Sequence, residues 1–240
     1  DFPIEPNFHT RQLQFALGNA THSGSISLSD QRTMGMSSVI GTEDDSTAKQ
    51  NLSAQYQLQL SSDFRLNTFF TKDYFSSEYD DSFPVLMDAD NHFTSESQRM
   101  VVQPKWTGES SSFVGRVSWS SSSRDFDSSF PIKFEGDVMD FEGVFSTKLS
   151  SQFSGLIGLN HKQQKAQFSE KVSADLMDYF VNVLYESEGF FEAQAGARLS
   201  EHSTYGSHWT YHINPSLYFD FSSFDLRFHP SFSTAFIPPS

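Results

Sequence analysis

From Trp209 onward the chain alternates with a period of two. Trp209, Tyr211, Ile213, Pro215, Leu217, Phe219 and Phe221 interleave with His208, Thr210, His212, Asn214, Ser216, Tyr218 and Asp220. In an extended chain successive side chains point to opposite faces, so one face is apolar and the other polar. After the turn Phe221-Ser222-Ser223 the pattern resumes: Phe224, Leu226, Phe228, Pro230, Phe232 and Phe236 share one face, with Asp225, Arg227, His229, Ser231 and Ser233 on the other. Each segment is long enough to cross a bilayer as a strand, and the two joined by a tight turn make a transmembrane β-hairpin.

The same alternation recurs along the chain. Leu52, Ala54, Tyr56, Leu58 and Leu60 interleave with Ser and Gln, and Leu13, Phe15 and Leu17 do so near the start. Twelve strands are expected, with Val172–Leu184 taken as strand although Val172, Leu176, Met177, Phe180 and Leu184 also fit one helical face. Short connections (19–23, 61–63, 107–111, 149–151, 186–188, 221–223) alternate with long ones (37–49, 76–96, 120–131, 163–171, 200–206). Outer-membrane barrels segregate their loops in this way, short on the periplasmic side and long outside. The expected fold is therefore all-β, an antiparallel up-and-down transmembrane barrel, with residues 1–240 forming one barrel section.

Composition agrees. Hydrophobic residues make up 37%, yet there are 26 Phe, which suits a thin apolar skin over a polar interior. The net charge of -14 argues against nucleic acid, whose recognition needs basic patches. Cysteine is absent, which removes disulfides and thiolate chemistry; it is either chance or a trace of passage through an oxidising envelope compartment. No apolar run approaches a membrane helix, a test that β-barrels escape because only alternate residues meet lipid. The opening DFPIEPNFHT has neither a charged n-region nor an apolar h-region, so a mature chain or a piece of a longer one is expected.

The stretch GARLSEHSTYGSHWTYHINPSLYF followed by FDLRFHPSFSTAFIPPS resembles the barrel of TonB-dependent outer-membrane receptors. The matching features are Gly196 with Arg198, His202 to Gly206, the central Pro215, and Ala235 to Pro239. Within that family the chain looks most like the vitamin B12 (cobalamin) receptor branch, which the run from Gln50 to Pro84 also fits. The resemblance implies a 22-stranded barrel, an N-terminal plug that engages TonB, and import of a scarce nutrient such as cobalamin or a metal chelate. Plug and TonB box are not found in these residues. The section is thus expected to be internal to a longer receptor, or one chain of a split one, because twelve strands of open sheet would leave two unpaired edges in lipid. Closure of the twelve on themselves is the alternative, as is a plug-less passive porin or a structural, adhesive barrel.

Partners implied are outer-membrane lipid, the remaining strands and plug, TonB through the plug, and a small nutrient ligand. No cofactor is required. Glu43, Asp44 and Asp45 on one long loop, with Asp80 and Asp81 on the next, are Ca²⁺ candidates, since hard cations collect several oxygens and the related cobalamin receptors bind calcium in the corresponding loops. Asp88, Asp90 and Asn91 make a weaker extension of that cluster. Solvated acidic loops are the plainer reading. His208 and His212 share a strand face about 13 Å apart at the usual rise, too far to chelate one ion together. No Gly-x-Ser-x-Gly elbow occurs, and no enzyme is expected. Tyr74, Trp106, Trp119, Tyr185, Trp209 and Phe221 are read as interfacial girdles.

Overall fold

The computed structural model describes residues 8–35, 45–81, 87–187 and 189–236. They form one antiparallel sheet: β1 (Phe8–Gly18), β2 (His22–Met34), β3 (Ser46–Gln59), β4 (Phe64–Asp81), β5 (Met87–Thr107), β6 (Ser111–Asp127), β7 (Ile132–Lys148), β8 (Phe153–Gln167), β9 (Lys171–Glu186), β10 (Phe191–His202), β11 (Gly206–Phe221), β12 (Phe224–Phe228) and β13 (Phe232–Ser233). Each strand pairs with its sequence neighbour from β1 to β12. Val172–Leu184 lies within strand β9, as its β-prone Tyr179-Phe180-Val181 centre favours. Among the described residues β1 pairs only with β2 and β12 only with β11, so the sheet does not close on itself.

The sheet is inside-out relative to a soluble core. Among the described residues no hydrophobic side chain is buried, while Ser118, Asp178, Ser200 and Ser216 are. On β11 Ser216 is 2% exposed and Trp209 69%. With no second layer present, one face can be enclosed only if the sheet curls with that face inward. The polar face is therefore the concave one. A two-layer sandwich with its Phe side chains packed inward is ruled out.

Strand register measures the apolar skin. On the outward face it runs from Leu58 to Leu52 on β3, Trp106 to Met100 on β5, Phe113 to Trp119 on β6, Phe145 to Met139 on β7, Phe153 to Leu159 on β8 and Tyr185 to Met177 on β9. Each run takes roughly seven to nine residues of strand, close to the requirement for crossing the hydrocarbon at a tilt. Beyond it the outward residues turn polar: Gln98 and Glu96, Ser121 and Ser123, Asp137 and Glu135, Asp175 and Ser173. Trp106, Phe113, Tyr185 and Phe221 edge the short-turn side of the band, and Trp119, Trp209 and Tyr74 the far side, which matches the expected girdles.

Two expectations are corrected. The segments 76–96, 120–131 and 163–171 are mostly strand. β4 has 18 residues and β5 21, so β5 continues roughly ten residues past a bilayer crossing, up to about 30 Å before tilt. Their polarity suggested loop, but a sheet standing in water on both faces has no apolar face to advertise. Register continues from Phe70↔Met100 to Tyr79↔Asn91 without an apolar row. The final segment, expected as one strand, is split into β12 and β13. Phe228 lies opposite Leu217 and Phe232 opposite Ile213. The register is unchanged across the gap, which sets Pro230 opposite Pro215. Neither ring has an N–H to give the ladder, and the pairing lapses there.

Candidate functional site

The concave face within the apolar band is a wall of cross-strand polar contacts. Arg116 on β6 donates from Nη2 to Glu142 Oε2 at 2.8 Å and reaches Asp140 Oδ1 at 3.4 Å, both on β7. Asn160 on β8 donates to the same Asp140 oxygen at 3.4 Å. On the next strands Ser200 donates to Asp178 Oδ1 at 2.5 Å. Tyr218 donates to Glu192 Oε2 at 2.6 Å, under the Arg227 guanidinium 4.7 Å from its ring. Ser216 pairs with His229. Each contact links neighbouring strands and pairs the lumen's polar groups with one another, although among the described residues Arg116 Nε is buried without a partner.

Glycines let side chains lie across this wall. Asn182 on β9 and His212 on β11 meet at 2.9 Å over Gly196 on β10. A Cβ on Gly196 would stand 2.5 Å from His212 Cε1. Likewise Phe180 lies over Gly158, and Arg198 sits over the Phe180 ring at 5.5 Å. Gly196 and Arg198, marked by the sequence resemblance, thus both serve the lumen wall. His208 and His212 do separate work: His208 bonds Tyr205 O at 2.9 Å and stacks on Phe236 at 3.8 Å.

Above the band the same face carries an aromatic ladder. Phe75, Phe93, Phe126 and Phe134 come from β4, β5, β6 and β7, and Phe168 from the turn before β9. Successive ring centroids are 5.8, 4.6, 6.3 and 4.7 Å apart, within contact range for aromatic pairs. Phe126 is an even number of residues from buried Ser118, and Phe134 from Asp140, so both face the lumen side. Phe134 and Phe168 are 40% and 57% exposed, leaving apolar surface open inside a polar mouth. Sequence reading missed this ladder because Phe93, Phe126 and Phe168 fall in segments expected as loops; Phe93 stands directly opposite Phe126, while Phe75 and Phe134 are diagonal neighbours, two residues off that row.

The acidic tips come together only in part. Glu43 and Asp44 lie outside the described residues. Asp45 closes the β2–β3 hairpin, its carbonyl accepting the Gly35 N–H at 2.8 Å. Ser46 N–H donates to Glu78 Oε2 at 2.8 Å, tying that hairpin to β4. The Ser46 hydroxyl first, and then its backbone N–H, hold the Glu78 carboxyl below its ordinary 4.5. Asp80 and Asn91 are buried within the β4–β5 hairpin, where Ala89 N–H reaches Asp80 Oδ1 at 3.4 Å. Asp81 ends β4; its side chain, like that of Asp88, lies outside the described residues, and Asp90 is exposed. Among the described residues no three His, Asp or Glu groups gather as a metal site.

No protein-family model matches this sequence, and no curated protein does. Solved structures match well. The siderophore receptor PirA from Pseudomonas aeruginosa superposes with a TM-score of 0.69 at 15% identity, over 87% of this chain and 36% of that one. For the FrpB iron transporter from Neisseria meningitidis the values are 0.71, 10%, 88% and 42%. For the outer membrane transporter YddB from Escherichia coli they are 0.68, 10%, 89% and 38%. The sheet has the fold of the barrel wall in those outer-membrane proteins. The chain spans 36% to 42% of the length of those three structures.

Proposed function

We propose that this wall belongs to a TonB-dependent outer-membrane receptor that takes up a scarce nutrient from outside the cell. The observation that carries the reading is the inverted burial: an apolar band about one bilayer thick faces outward, and a hydrogen-bonded polar face lines the interior. Further strands complete the barrel across the open edges. A plug in the lumen gates it, and TonB supplies the energy through the plug. The long strands form a vestibule on the extracellular side. Because β1 and β12 stay unpaired, a porin closed by these twelve strands alone is disfavoured.

The ligand first meets the aromatic ladder. Ring faces in a polar mouth favour a ligand with flat or apolar surface, as in a ferric chelate bearing aromatic groups or the corrin of cobalamin. The siderophore and iron structures of this fold support the first, and the sequence resemblance the second. In the intact receptor, Phe93→Ala with Phe126→Ala is expected to weaken binding about a hundredfold or more, since burying each ring contributes about 1.5–3 kcal/mol. Titration calorimetry with a ferric catecholate, a ferric hydroxamate and cobalamin measures this. Unchanged affinity for whichever probe binds would remove the ladder from the site, and binding of none would count against the import reading.

Calcium at Glu43, Asp44, Asp45, Asp80 and Asp81 is part of the same proposal. The Ser46–Glu78 bond supports it by holding the two hairpins side by side. Calorimetry of the intact receptor with Ca²⁺ is expected to show binding that Asp44→Ala with Asp80→Ala abolishes. Equal Ca²⁺ affinity in that variant would exclude these carboxylates.

A further inference from the structure

The outward face of β1–β4 carries a group of cations that the transport reading leaves unused. Leu13, Leu28 and Leu52 lie side by side in register and form the last apolar row of that face. The next outward row is Arg11, Asp30, Gln50 and Tyr74. Lys72 stands opposite Leu52, and Arg32 is one outward step past Asp30. Arg11, Arg32 and Lys72 are all exposed. Two carboxylates lie beside them: Asp30 is engaged locally, with Gln50 donating to Oδ1 at 3.1 Å and Arg32 Nε 3.2 Å from Oδ2, and Glu96 on β5 follows Tyr74 in the same row. Three cations against these two leave one positive charge in excess, beside a cleft of about 500 Å³ lined by the cations and the three leucines.

This patch runs against the rest of the molecule, whose net charge is -14. Past the apolar band on β7–β9, the outward cations Lys133, Lys165 and Lys171 are equalled in number by the outward carboxylates Glu135, Asp137 and Asp175. Lys133 Nζ is 2.7 Å from Glu135, and Lys165 is in register with Asp137. At β1–β4 alone a surplus of guanidinium and ammonium groups adjoins the hydrocarbon boundary. Arg presents a planar fork matched to phosphate oxygens, and long basic side chains reach from an apolar surface to the headgroup layer. A free anion would use the cations but has no use for the leucine floor. An amphiphile uses both.

We propose that this face is a binding site for a phosphate-bearing lipid of the outer leaflet. Its head-group phosphate is held by Arg11, Arg32 and Lys72, and its acyl chains lie on Leu13, Leu28 and Leu52. The inference rests on the transmembrane reading. It commits to lipid as the source of the phosphate.

The test uses the intact receptor carrying this wall, purified in mild detergent. Native mass spectrometry and total phosphorus per barrel report retained lipid. Arg11→Gln, Arg32→Gln and Lys72→Gln together are expected to lower retained phospholipid at least fivefold, while Lys133→Gln with Lys165→Gln leaves it unchanged. Inorganic phosphate at millimolar concentration is expected not to displace the lipid. Equal retention in both variants, or displacement by inorganic phosphate, would overturn the proposal. If the triple variant does not assemble, Lys72→Gln alone in the same assay decides: a clear loss supports the site, and full retention counts against it. Heat-modifiable mobility of the unaltered receptor reports separately on the barrel itself, so its failure would strike the transport reading and not this site.

Discussion

Replacing Ile157 by Arg is expected to destabilise the assembled barrel by about 2–4 kcal/mol, the range for a cation near the bilayer midplane on a lipid-facing strand. Ile157 is 59% exposed on β8. It is in register with Phe145 on one side and Val181 on the other, themselves outward and apolar. In a soluble protein an exposed isoleucine is a neutral place for arginine, and the expected change there is within about 0.5 kcal/mol. The two readings thus differ by several-fold in free energy at one position. The control is Gln194→Arg on β10, on the concave face beside Leu184 and Asn214. A wet lumen accommodates that charge, and about 1 kcal/mol or less is expected. Denaturant unfolding of the intact barrel in lipid bilayers measures both. Equal and small effects would mean that the Phe-rich face does not touch hydrocarbon.

Much of this was legible in the residues because the physics of the band is local. Within the hydrocarbon each strand must alternate, and Leu52–Leu60 or Trp209–Phe221 do so without interruption. The helix-like spacing of Val172, Leu176 and Phe180 resolved as strand. Phe180 turned out to belong to the lumen face and Val181 to the lipid face, a mixture that blurs the period of two. Outside the hydrocarbon that local rule disappears. Residues 76–81 and 87–96 pair as the ends of β4 and β5 because of register inherited from the band, and no pattern within them records it. The aromatic ladder was illegible for the same reason. Phe75, Phe93, Phe126, Phe134 and Phe168 are scattered in sequence and meet only through the pairing of neighbouring strands. The gap at Pro230 depends on which residue faces it, and no reading of one strand supplies that. The acidic residues were visible, but whether they meet depends on hairpin tips that alternation does not govern.

Gly158→Val is expected to cost about 1–3 kcal/mol, the range for forcing extra atoms into a filled site, although it adds apolar surface to a β-strand with a β-branched residue. The reason is the stack across β8, β9 and β10. A Cβ at Gly158 would stand 2.3 Å from Phe180 Cζ and 2.9 Å from the Gly143 carbonyl oxygen. The ring can swing away, whereas the backbone oxygen of β7 is fixed by its own ladder. Phe180 must therefore leave its seat, and Arg198, held 5.5 Å above that ring, loses its support. The effect is separable from general strand damage by a double-mutant cycle with Phe180→Ala. If the clash with the ring dominates, Gly158→Val costs much less in the Phe180→Ala background, and the coupling is of order 1 kcal/mol or more. If the Gly143 carbonyl dominates, the cost is the same in both backgrounds. Gly155→Val on the same strand is the reference: its nearest neighbours, Leu149 Cδ1 and the Asn182 oxygen, are 3.6 and 3.7 Å from a Cβ, ordinary contact distances. It is expected to be neutral or mildly stabilising, as a β-branched residue on a lipid-facing strand should be. A Gly158→Val barrel as stable as the Gly155→Val one would mean that Phe180 does not lie across Gly158, and that Arg198 is positioned by something other than this ring.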